Sequence, residues 1–137
     1  MCIFCDIVND KVKSHKIYET NKTLAFLDIH PISNGHILVI PKEHYKDIYE
    51  MDSNILIETI KTVKAITGIL KDKLNINAVN IMNSNGEIAN QTVFHYHIHV
   101  IPRRENDNLN FIDEWWLNKI IKVNDENLNG IMNKLKS

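Results

Sequence analysis

Five short segments of this chain are rich in apolar and β-branched residues, and they predict β-strands. They are residues 16–20, 22–29, 36–40, 77–82 and 94–101. In the last of these, apolar or aromatic residues alternate with histidines, so the two sets are expected on opposite faces of a strand. Pro31, Asn34 and Gly35 separate the second segment from the third and predict a turn there.

One longer segment repeats its apolar residues at helical spacing over residues 56–74. This pattern predicts a long helix that begins after a cap at Asp52 or Ser53. A second helix is predicted over residues 114–123. Strands and helices are segregated and one helix dominates, so we expect an α+β fold. Its antiparallel sheet would have about five strands, with one long helix and a short C-terminal helix.

The composition is that of an ordinary globular protein. Of the 137 residues, 44% are hydrophobic and 24% are charged, and the formal net charge is −1. This balance argues against disorder and against a broad nucleic-acid-binding surface. The chain lacks an apolar run long enough to span a bilayer, and residues 2–10 carry two acids, unlike an export signal. We expect a cytoplasmic protein with a single domain over residues 1–137, comprising a core over 2–104 and a tail over 105–137.

Three histidines occupy alternate positions in the last predicted strand. The side chains of His95, His97 and His99 are expected on one face, opposite Tyr96 and Ile98. An imidazole is a costly way to fill a core, because both of its nitrogens need hydrogen-bond partners. A row of three therefore indicates chemistry rather than packing.

Two kinds of chemistry fit the histidine row. In the first, the imidazoles bind a catalytic metal ion, as alternate histidines on a strand can do. In the second, one imidazole is a nucleophile and its neighbours orient it or bind phosphate. Glu87 is the only acid close to the row in sequence, whereas the loop of residues 86–92 supplies backbone N–H groups, an amide and a hydroxyl. These groups suit anionic oxygens and favour phosphate.

The two cysteines, Cys2 and Cys5, have C-x-x-C spacing. A redox pair of this spacing normally follows a strand, and no strand is predicted before Cys2. The remaining interpretation is half of a zinc site. Its other two ligands would be histidines, because the chain has no further cysteine.

The segment Gln91–Ile101 resembles the defining stretch of the histidine triad (HIT) nucleotide-binding proteins, in which three histidines alternate with apolar residues after a glutamine and a small hydroxylated residue. Residues 26–31 and 35–42 resemble the family's nucleoside-pocket strands. The C-x-x-C pair resembles the N-terminal zinc half-site of its bacterial-type members. The resemblance covers residues 2–104 and is greatest to the Hint-like and bacterial hydrolase branches.

The resemblance implies catalytic roles for five residues. His97 corresponds to the nucleophile, which attacks the α-phosphorus and forms a nucleotidyl-histidine. A neutral imidazole suits this role because it is a good nucleophile near pH 7. His99 corresponds to the phosphate-contacting third histidine, and His36 to a fourth histidine near His97. Gln91 and Thr92 resemble the residues that bind phosphate and help the leaving group to depart.

The resemblance also implies a nucleoside pocket. Asp28 would accept the ribose hydroxyls, while Phe26 and Ile29 would line the base. Without the resemblance, Asp28 would be interpreted as a surface acid at the end of a strand. The family's phosphate-contacting asparagine aligns with Ser84 here, so its role is assigned to one of the flanking residues, Asn83 or Asn85.

The phosphate loop departs from the family at one position, because the usual Ala-Gly-Gln is Ala89-Asn90-Gln91 here. Asparagine tolerates a left-handed backbone better than most residues, so we expect the turn to be kept.

The zinc site is completed by the same resemblance. It nominates Cys2, Cys5, His44 and His95 as a Cys₂His₂ tetrahedron, which would be structural because no coordination position is open. The alternative for His44 is a solvent-facing residue near the start of the helix.

The implied activity is that of a purine nucleotide-binding hydrolase of the HIT type. It would cleave nucleoside 5′-phosphoramidates or related nucleotidyl conjugates, with no catalytic metal. The alternatives are a dinucleoside polyphosphate hydrolase, a nucleotide-binding module with little catalysis, and a zinc hydrolase that uses the histidine row as ligands. Family members are usually homodimers, so we expect a homodimer that binds a small nucleotide, with no nucleic-acid or membrane partner.

Overall fold

The computed structural model describes residues 1–110 and 112–137, without the side chains of residues 112 and 113. It contains two compact units, Met1–Asp107 and Asn108–Ser137. Among the described residues, no helix combines the length and the apolar character that crossing a bilayer requires.

The first unit is built on one antiparallel sheet of five strands. The strands are β1 (Lys16–Glu19), β2 (Thr23–Leu27), β3 (Ile37–Pro41), β4 (Val79–Met82) and β5 (Ile98–Pro102). Their spatial order is β1-β2-β3-β5-β4, so β5 is a central strand paired with both β3 and β4. The predicted α+β fold with a five-stranded antiparallel sheet is confirmed.

Two helices of this unit, α1 (Ile3–Val8) and α2 (Ser53–Leu74), pack on opposite faces of the sheet. The Asp52 carboxylate caps α2 by accepting hydrogen bonds from the backbone N–H groups of Asn54 at 2.9 Å and Ile55 at 3.2 Å. The helix ends at Asn75, which has a left-handed backbone with φ 57°. The long helix and its cap are therefore confirmed.

The two faces of the sheet bury different sets of side chains. One face packs against α2, and its buried cluster consists of Ala25, Ile37, Val39, Val63, Ile66, Leu70, Ile76, Tyr96, Ile98 and Val100. The other face packs against Phe4 and Ile7 of α1. Residues at alternate strand positions necessarily divide between these faces. The histidines that alternate with Tyr96, Ile98 and Val100 therefore belong to the α1 side.

The predicted strand over residues 94–101 is too long, because β5 begins only at Ile98. Residues 94–97 lie outside the ladder, and the N–H of Tyr96 donates to the carbonyl of Tyr45 at 2.7 Å instead of to a neighbouring strand. The alternation of buried side chains nevertheless continues, since Tyr96, Ile98 and Val100 all pack on the α2 side. The backbone thus bends over residues 93–95 without changing which face the histidines occupy.

The second unit has a helix where the sequence interpretation had none. The helix predicted over residues 114–123 is wrong: a π-helical turn (Ile112–Trp116) and a 3₁₀ turn (Leu117–Lys119) occupy most of this range. Helix α3 follows at Asp125–Lys136 and begins with a capping box at Asn124. Several asparagines and Gly130 weaken the intrinsic helix propensity of this segment, so the sequence pattern did not reveal the helix. The prediction of a single domain over 1–137 stays a prediction.

Candidate active site

A cavity of about 430 Å³ opens on the α1 side of the sheet. Three of its polar wall residues, Asp28, His97 and His99, come from the ends of β2 and β5 or their flanks. The remaining lining residues are Ile3, Phe4, Ile7, Val12, Lys13, Ser14, Phe26, Leu27, Ile29, His30, Leu38, Ser84, Asn90, Thr92 and Val93. Such a mostly apolar cleft with a few convergent polar groups is typical of a small-molecule site.

His97 lies in the cavity wall, and one of its two ring nitrogens makes a hydrogen bond to the backbone. Its Nδ1–H donates to the carbonyl of His95 at 2.7 Å. The ring is nearly buried, at 7% exposure, and packs against the Phe4 ring at 5.2 Å between centroids. Burial lowers the pKa of His97, so its imidazole is neutral at neutral pH. The Nε2 lone pair has no hydrogen-bond partner among the described residues, which leaves it available to a ligand in the cavity.

His99 and His36 form a directed pair beside His97. The N–H of Ile32 donates to Nδ1 of His36 at 3.2 Å, so the proton of neutral His36 lies on Nε2. That Nε2–H donates to Nδ1 of His99 at 2.9 Å. Burial lowers the pKa of His36, and burial together with His97 and His36 lowers the pKa of His99 to about 4. His99 is therefore neutral and carries its own proton on Nε2, as a donor.

Asp28 lies next to this pair. Its Oδ1 accepts the N–H of His30 at 2.8 Å, and its Oδ2 is 3.5 Å from Nε2 of His36 and 4.0 Å from Nδ1 of His99. The three side chains are close enough to hold a metal ion. A metal on Nε2 of His36 would move the ring proton to Nδ1. That proton would then face the N–H of Ile32, and two donors would point at each other. The geometry therefore favours a hydrogen-bonded cluster over a metal site here.

These hydrogen bonds predict a tautomer for each buried histidine. We expect long-range ¹H–¹⁵N NMR spectra near pH 7 to show the Nδ1–H form for His97 and the Nε2–H form for His36, His95 and His99. The exposed His15 is the control and should show averaged nitrogen shifts. An Nε2–H form of His97 would contradict the hydrogen bond to His95 and the free Nε2.

The predicted phosphate residues divide into two groups in the structure. Thr92 lines the cavity, as do the predicted base contacts Phe26 and Ile29. The Gln91 amide instead donates to the carbonyls of Lys46 at 2.7 Å and Val93 at 3.2 Å. Its oxygen accepts the N–H of Gly86 at 2.8 Å, so the whole side chain is used in bracing the loop.

Two loop asparagines are also bonded to protein. Asn83 donates to the carbonyl of His97 at 2.7 Å, and Asn85 donates to Asn83 at 2.6 Å while accepting the N–H of Ile48 at 2.7 Å. Neither lines the cavity. The backbone of Asn90 is left-handed with φ 67°, so the turn expected at this departure from the family loop is present.

A second cluster, outside the cavity, brings together the four predicted metal ligands. Nδ1 of His95 lies 3.3 Å from Sγ of Cys2, 3.5 Å from Sγ of Cys5 and 3.2 Å from Nδ1 of His44. Ligand atoms around a tetrahedral Zn²⁺ are separated by about 3.3–3.8 Å, given the usual Zn–N and Zn–S bond lengths. Two thiols and two imidazoles at these distances fit a structural zinc ion.

The surroundings of the cluster support the same interpretation. Nε2–H of His95 donates to the carbonyl of Pro41 at 2.8 Å, which turns the Nδ1 lone pair toward the cysteines. Burial, together with the hydrogen bond to Cys2, raises the pKa of Cys5 to about 11. The thiol is therefore protonated at neutral pH in the metal-free cluster, and zinc binding would release this proton.

Part of the cavity wall was missed in the sequence interpretation. It is lined by Phe4 and Ile7 of α1, Ser14 of the loop between α1 and β1, and Leu38 of β3. Leu38 falls within the recognised segment 35–42, and Phe4 lies between the two cysteines. Nothing in the spacing of Ser14 marked it as a cavity residue.

The chain is similar to known proteins over most of its length. The family profile described as the HIT domain matches residues 9–106. An uncharacterized HIT-like protein of Methanocaldococcus jannaschii is 48% identical over 107 residues, which are 78% of this chain and 82% of that protein. An adenosine 5′-monophosphoramidase of Candida albicans is 40% identical over 108 residues, 76% of this chain and 71% of that protein. The crystal structure of a zinc-bound histidine triad family protein from Mycobacterium smegmatis matches with a TM-score of 0.77 at 38% identity and 80% coverage of each chain. This chain therefore belongs to the HIT family.

Proposed function

We propose that this protein is a nucleotidyl hydrolase that cleaves purine nucleoside 5′-phosphoramidates through a covalent intermediate on His97. The observation that carries the proposal is the Nδ1–H bond from His97 to the His95 carbonyl. It leaves a neutral, unpartnered Nε2 in the wall of a cavity that is large enough for a nucleotide. The naming of a related yeast protein as an adenosine 5′-monophosphoramidase supports the same chemistry.

The residues of the cavity support a two-step reaction. Nε2 of His97 attacks the α-phosphorus and the bond to the leaving amine breaks, with a proton passing to the amine. Thr92 and Nε2–H of His99 are the candidate donors, since both residues line the cavity. Water then displaces the nucleotidyl group from His97 and releases the nucleoside monophosphate. Asp28 would accept the ribose hydroxyls, and Phe26 and Ile29 would contact the base.

We also propose that zinc occupies the cluster of Cys2, Cys5, His44 and His95 and takes no part in the chemistry. The support is the closed set of four ligands and the zinc-bound relative. Gln91, Asn83 and Asn85 would act by holding the phosphate loop rather than by touching the substrate, because their polar atoms are bonded to protein. The homodimer and the cytoplasmic location stay predictions.

Substrate comparison tests the proposed activity. We expect the purified protein to release AMP from an adenosine 5′-phosphoramidate with a kcat/KM at least about 10-fold above that for diadenosine tetraphosphate. The reversed preference would favour the dinucleoside polyphosphate hydrolase. Binding of AMP without turnover of either compound would instead indicate a nucleotide-binding module and contradict the proposal.

A further inference from the structure

Ser14 lies between α1 and β1 and lines the cavity. Its Oγ is the one buried side-chain polar atom of the described residues that has no hydrogen-bond partner. Buried hydroxyls are normally paired, since an unpaired one gives up its bonds to water and gains none in return. An orphan hydroxyl in a cavity wall is therefore a candidate for bonding to a ligand.

The segment that carries Ser14 is held on both sides by backbone hydrogen bonds. The N–H of Lys11 donates to the carbonyl of Asp6 at 2.8 Å, and the N–H of Leu27 donates to the carbonyl of His15 at 3.0 Å. The backbone of Ser14 is thus fixed between two anchors, whereas its side chain has no hydrogen bond to break. Rotation about χ1 to another staggered rotamer can redirect Oγ into the cavity without the loss of a hydrogen bond.

The order of the strands places Ser14 at the end of the cavity away from His97 and His99. The pairing of β1 with β2 continues past Lys16 through the hydrogen bond to His15, and the next step brings Ser14 alongside Asp28. β5, which carries His99, lies two strands beyond β2. At normal strand spacing the backbones of β2 and β5 are therefore about 10 Å apart. If the phosphate binds at the histidines and the ribose at Asp28, as the proposed function requires, the base lies beside Ser14.

Apart from the side chains of Lys13 and His30, the neighbouring wall offers the base mainly apolar contact. Phe4, Ile7, Phe26 and Leu38 pack together there, and their side chains cannot hydrogen-bond to the edge of a base. We propose that the Ser14 hydroxyl recognises the base by donating a hydrogen bond to a purine ring nitrogen. Purine ring nitrogens are acceptors and a serine hydroxyl is a donor, so the pair is complementary. Ser14 is thus a specificity residue of the nucleotide site.

Binding of AMP and of its 1-deaza, 3-deaza and 7-deaza analogues to the full chain tests this assignment by calorimetry. In the wild-type protein, one analogue should bind about 3- to 10-fold more weakly than AMP, as expected for the loss of one hydrogen bond. Ser14→Ala should bind AMP as weakly as the wild type binds that analogue, and should no longer distinguish the two. Its melting temperature without ligand should be equal to or above that of the wild type, because an unpaired hydroxyl has been removed.

Ser84→Ala is the matched control, since Ser84 is another serine of the same cavity. It should keep the wild-type discrimination between AMP and the deaza analogue. Equal discrimination by the wild type and Ser14→Ala would overturn the role of Ser14 while leaving the proposed function intact. A wild-type protein that binds no AMP would overturn both.

Discussion

Replacing His97 with alanine is expected to lower phosphoramidate turnover by about 10⁴-fold or more, because nucleophile knockouts in covalent catalysis cost rates of this order. The substitution removes the Nε2 that would form the bond to phosphorus. It leaves the ribose and base contacts of the cavity in place. Quenched-flow turnover, together with intact-protein mass spectrometry of reaction mixtures, measures both consequences. The wild type should show a transient nucleotidyl adduct, and His97→Ala should show none.

The control for this experiment is His15→Ala, which removes an exposed histidine outside the cavity. It should keep wild-type turnover and the adduct. AMP binding by His97→Ala, within about 10-fold of the wild type, would show that the variant is folded. A nucleotidyl adduct that persists in a folded His97→Ala protein would assign the nucleophile to another residue.

Loss of zinc is expected to have the largest effect on stability. A site that is occupied at a free zinc concentration about 1,000 times its Kd stabilises the fold by about 4 kcal/mol. For a chain of this length this corresponds to a melting temperature about 12–20 °C lower in Cys5→Ser than in the wild type. Metal analysis of the wild type, purified without added zinc, should give about one zinc ion per chain, and Cys5→Ser should give almost none.

Chelation separates the structural zinc from a catalytic one. Treatment of the wild type with a strong chelator should reproduce the melting temperature of Cys5→Ser, and His15→Ala should keep its zinc. An unchanged melting temperature after complete removal of the metal would refute the structural role. Activity that disappears on chelation while the melting temperature stays constant would support the alternative in which a histidine row binds a catalytic metal.

The regular parts of the fold were predictable because local periodicity reflects burial. Residues 22–29 and 56–74 were interpreted as a strand and a helix, and β2 and α2 occupy nearly the same ranges. In both, the residues that set the pattern are those that the core buries, such as Leu24 and Ile66. A pattern fixed by one buried face can be recognised without knowledge of what covers it.

The irregular parts depend on partners far away in sequence. The strand of histidines begins only at Ile98 because the N–H of Tyr96 donates to the carbonyl of Tyr45, and His95 turns its ring toward Pro41 and the cysteines; all these partners are about 50 or more residues away. The Gln91 amide donates to the carbonyl of Lys46, and Gln91 does not line the cavity. The resemblance nominated both residues for the site, but neither contact can be inferred from alternation. Ser14 was missed for a related reason, since only the pairing of its segment with β2 brings it to the cavity.

The contacts that Phe4 makes from the short helix α1 limit how this protein can be redesigned. The helix has six residues, too few to persist alone in water, and both proposed zinc-binding cysteines belong to it, Cys2 as its N-cap and Cys5 within it. The Phe4 ring contacts Phe26, His95 and His97 edge-on. A metal-independent version of the protein would need another anchor for its first turn. Without one, fraying at the amino terminus would remove part of the cavity wall and loosen the ring of His97, the proposed nucleophile.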